Sequence, residues 1–67
     1  MSGDSVEKLV YMANQIARNL MHEPDPASAT AAHIEAFWSP RMKAQILAVR
    51  DGGELEPVAL AALQGLR

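Results

Sequence analysis

His22 and His33 are the two imidazoles of this 67-residue chain, and acid–base or metal chemistry would have to draw on them and on eight carboxylates. A metal pair on one helix needs histidines about three or four positions apart with an acid nearby. These two stand in separate segments, and no acidic cluster accompanies them. Each therefore reads as a solvated or edge-of-core histidine. Gly52-Gly53 does not make a phosphate loop, since acidic Glu54 follows and no Lys-Ser/Thr motif comes after it. There is no Gly-x-Ser-x-Gly elbow to present a nucleophile. The chain has no cysteine, so it cannot form a disulfide, a thiolate metal site or a cysteine-ligated iron–sulfur cluster. These residues predict a chain without catalytic, cofactor or metal site of its own.

Recognition chemistry is better represented. The stretch "FWSPRM", 37–42, sets the single phenylalanine beside the single tryptophan and adds an Arg-Met pair. Interfaces favour Trp, Met and Arg because each covers a large area or forks its hydrogen bonds. Phe37 shares a helical face with Ile34 and reads as core. Trp38 stands between core and interface: a wheel puts it nearer the middle of that face, yet so large a ring is seldom wholly covered in a small domain. Arg41 falls in the first turn of a helix, where the dipole disfavours a cation, so a carboxylate partner inside or outside the chain is expected. Tyr11 belongs to an outer stripe with Gln15, Arg18 and His22, either a wet face or an interface rim. The candidate partner-facing residues are Trp38, Arg41, Met42, Leu47, Tyr11, Leu60 and Leu63, although Met42 also suits a core.

These residues need elements to hold them, and four prolines with the paired glycines divide the chain cleanly. The expected architecture is an all-α bundle of three to four short helices, about 5–21, 26–38, 40–51 and 57–66, in a single domain. Residues 1–3 are expected to be disordered. Asp4 and Glu7 form a capping box for the first helix. Its inner face carries Val6, Leu9, Val10, Ala13, Ile16, Ala17 and Leu20. Asp25-Pro26 opens the second helix, whose face holds Ala27, Thr30, Ala31, Ile34, Phe37 and Trp38. Thr30, the polar member, is expected to bond back to a carbonyl one turn earlier. Ser39-Pro40 opens the third helix, striped by Met42, Ile46 and Val49 and widened by Leu47, Ala44 and Ala48; "DGG" ends it. In the last helix, "PVALAALQGLR", only Gln64 and Arg67 are polar. A helix apolar almost all round wants burial on most sides, more than a lone small domain offers, which hints at a partner.

The formal net charge of −2 speaks against a nucleic-acid binder, although Arg41, Lys43, Gln45 and Arg50 could line a helix-turn-helix. No run of about 18 apolar residues exists to cross a membrane, and "MSGDSVEKLV" lacks the charged and apolar parts of a secretory signal. The expected location is the cytoplasm. A self-associating helical dimer is a further possibility, with the last helix paired across a two-fold.

"MANQIA" (12–17) and "HIEAFWSPRMKAQILA" (33–48) resemble the delta subunit of soluble NAD-dependent, molybdenum-containing formate dehydrogenases, and the resemblance spans about 6–50. Ser39 departs from the Asp expected in that family. Serine still caps a helix, but an acidic group that could meet a partner is lost. The resemblance implies a cofactor-free, non-catalytic accessory subunit that docks on the large catalytic subunit and its companions and supports assembly or stability. Molybdopterin, iron–sulfur clusters, FMN and NAD would be carried by those other subunits. A maturation role, aiding molybdenum cofactor insertion, is the related alternative.

Overall fold

Proline sits at the first turn of three of the four helices, where its missing N–H costs no hydrogen bond and its fixed φ suits the helix. The structure, a computed structural model, describes residues 2–65, with the side chains of 2–5 and 51 left aside. Its helices are α1 (Ser2–Asn19), α2 (Pro26–Phe37), α3 (Pro40–Ala48) and α4 (Pro57–Gln64), with a 3₁₀ turn at Arg50–Gly52 between the last two. The described residues contain no strand, and the chain is an all-α globule.

The side-chain caps expected at Asp25 and Ser39 are present, while the side chain of Asp4, expected to cap the first helix, lies outside the described side chains. The Ser28 N–H donates to Asp25 Oδ1 at 3.2 Å, and its hydroxyl donates to Oδ2 at 2.9 Å. These bonds, the backbone one first, hold the Asp25 carboxyl below its ordinary pKa. The Met42 N–H donates to Ser39 Oγ at 3.1 Å. The first helix begins differently from the expectation. Its backbone is already helical at Ser2, ahead of Asp4, even though Gly3 is a poor helix former. Ser2 and Gly3 thus belong to α1, while Met1 lies outside the described residues. The third helix stops at Ala48 and tightens into the 3₁₀ turn, and Gly53 (φ 87°) makes the left-handed reversal that "DGG" predicted. Leu66, in the expected last helix, lies outside the described residues.

α2 packs most extensively on α4, and α1 lies across α2, α3 and α4. The core joins Leu9, Val10, Ala13 and Ala17 of α1 to Ile34, Trp38, Ile46, Ala59 and Leu63. Leu55, from the connection into α4, completes it. The two helices with excess apolar surface use most of it internally. On α3, Ile46 is buried and Met42, Leu47 and Val49 are half-buried, leaving Ala44 and Ala48 to the solvent. On α4, Ala59, Ala62 and Leu63 are buried and Val58 and Leu60 are half-buried. The small alanines let α4 act as a central helix rather than a covering one, which removes the hint of a partner read from its composition.

Thr30 is fully buried, and its hydroxyl has no hydrogen-bond partner, so the expected bond to an earlier carbonyl is not made. Asn14 performs an unforeseen task. Its Nδ2 donates to the Glu54 carbonyl at 3.1 Å, and its Oδ1 accepts from the Glu56 N–H at 2.8 Å. One side-chain amide thus satisfies a backbone donor and acceptor in the α3–α4 connection, clamping it to α1. One turn further on, Arg18 adds an ion pair with Glu56, Nη2 to Oε2 at 2.6 Å and Nε to the same oxygen at 3.2 Å. That hydrogen bond holds the Glu56 carboxyl below, and the Arg18 guanidinium above, their ordinary values.

Candidate interaction groove

The junction at 37–42 is built by Pro40. A residue before proline is pushed out of the α region, and Ser39 accordingly has ψ 159°. Trp38 is extended as well (ψ 143°), while its N–H still closes the last turn of α2 on the Ile34 carbonyl at 2.9 Å. Thr30, Ile34 and Trp38 follow one another at intervals of four and form the buried ridge of α2. Phe37 lies at the edge of that face. The result reverses the expected roles of the rings: Trp38 is 6% exposed and Phe37 is 74% exposed. Phe37 leans on His33, one turn earlier, with ring centroids 4.7 Å apart.

Beside this pair runs a shallow groove. Its α1 wall is Tyr11, Met12, Gln15 and Ile16; its α2 wall is His33 and Phe37. Trp38 lines it from within the core, and Met42 of α3 completes the lining. A second hollow adjoins it along α1, sharing Tyr11 and Met12 and adding Glu7 and Lys8. Tyr11 is 69% exposed and Met12 39%, so with Phe37 three large apolar side chains stand open on one surface.

The structure brings Tyr11, Trp38 and Met42 of the expected partner-facing set to this groove. Leu47 and Leu60 are packed against the core instead, and Leu63 lies wholly within it, so these three are parts of the bundle. Trp38 and Leu63 have almost no surface left to offer. Arg41 is exposed and meets no carboxylate among the described residues, so the partner it was expected to find is not within them. Lys43, by contrast, reaches Glu35 at 3.2 Å, and a helix-turn-helix reading loses one of its cations. His22 lies 3.3 Å from Glu23, far along the chain from His33, and no group of three or more metal-binding side chains exists among the described residues. Phe37, read as core, and Met12, not singled out, were missed as surface residues, while His33 is exposed as a solvated histidine would be. The four-residue spacing of His33 and Phe37 was the available signal for an aromatic pair on one edge.

The described residues thus form a small helical bundle with an open apolar groove on one surface. Sequence comparison gives the family: residues 8–63 match the NADH-dependent formate dehydrogenase delta subunit FdsD, and the chain belongs to that family. No match was found among curated proteins or solved structures. Among the described residues no helix is long and apolar enough to cross a membrane.

Proposed function

We propose that this chain is a non-catalytic accessory subunit of a cytoplasmic formate dehydrogenase, docking on the large catalytic subunit and supporting assembly or stability of the complex. The observation that carries the docking role is the groove: Tyr11, Met12 and Phe37 remain open although the chain had room to bury Trp38 beside them. Family membership supplies the complex. On this reading molybdopterin, the iron–sulfur clusters, FMN and NAD belong to companion subunits. A chain without cysteine has no thiolate for a cluster, so its donor set fits that division.

Co-expression of the subunits with and without this chain tests the proposal. The chain should co-elute with the others under gentle conditions, and its omission should lower the yield or size of the assembled complex. Failure to co-elute would sink the docking role. A fall in molybdenum content at unchanged subunit composition would shift the role to cofactor insertion.

A further inference from the structure

We draw no further inference here: the strongest candidate, the open apolar groove between α1 and α2 with Tyr11, Met12 and Phe37 on its surface, belongs to the interaction site already described, and nothing in the structure shows what covers it.

Discussion

Two neighbouring rings with opposite fates show how much depends on single positions. Trp38 continues the Thr30–Ile34 ridge into the core, whereas Phe37, one position earlier, falls on the rim beside His33. Trp38→Ala should cost about 3–5 kcal/mol, comparable to the whole stability of a domain this small. Phe37→Ala should change the melting temperature little, because its ring is mostly in water. Circular dichroism melts of both variants separate these outcomes; an intact bundle after Trp38→Ala would remove it from the core. Thr30 offers the converse case. Its hydroxyl is buried without a partner, so Thr30→Val, of nearly the same shape, should raise stability by about 1 kcal/mol. Chemical denaturation reads this directly, and a loss of stability would mean that the hydroxyl is satisfied in solution. The sequence identified Thr30 as the polar member of its face but could not show whether a carbonyl would come within reach.

The helices themselves were legible because their boundaries are local chemistry. Asp25-Pro26 and Ser39-Pro40 each cap and start a helix within a few residues, and both caps form. The α3–α4 connection was not legible in the same way. Its anchor, Asn14, lies on another helix about forty positions earlier, and no local rule links an amide there to Glu54 and Glu56. Asn14→Ala should leave the half-buried Glu56 N–H unpaired and destabilise the chain by about 1–3 kcal/mol. Hydrogen exchange should quicken first at Leu55, Glu56 and the start of α4. Unchanged exchange there would show that the connection is held without this clamp. Asn14 stands inside "MANQIA" two positions after Met12, so one short stretch serves both the fold and the groove.

For the molecule as a whole, acid is the condition most informative about its cross-links. Asp25 and Glu56 both have carboxyls held below their ordinary range by hydrogen bonds made only in the folded chain. Their contribution is therefore present above the unfolded carboxyl pKa of about 4 and disappears as pH falls through the lower folded values. The melting temperature should fall below about pH 4, and Glu56→Gln should flatten that fall; an unaltered acid profile in the variant would show that the Arg18 pair adds nothing. Class, helix count, caps and the lack of thiolate chemistry came from the sequence alone, since they depend on neighbouring residues and on composition. Which apolar residues are left over was decided only by the tertiary structure. Periodicity shows that a residue lies near an apolar face, but burial depends on where the other helices end. α4 spends its apolar surface inside the bundle, Trp38 turns inward at the Pro40 corner, and Tyr11, Met12 and Phe37 stay open to solvent.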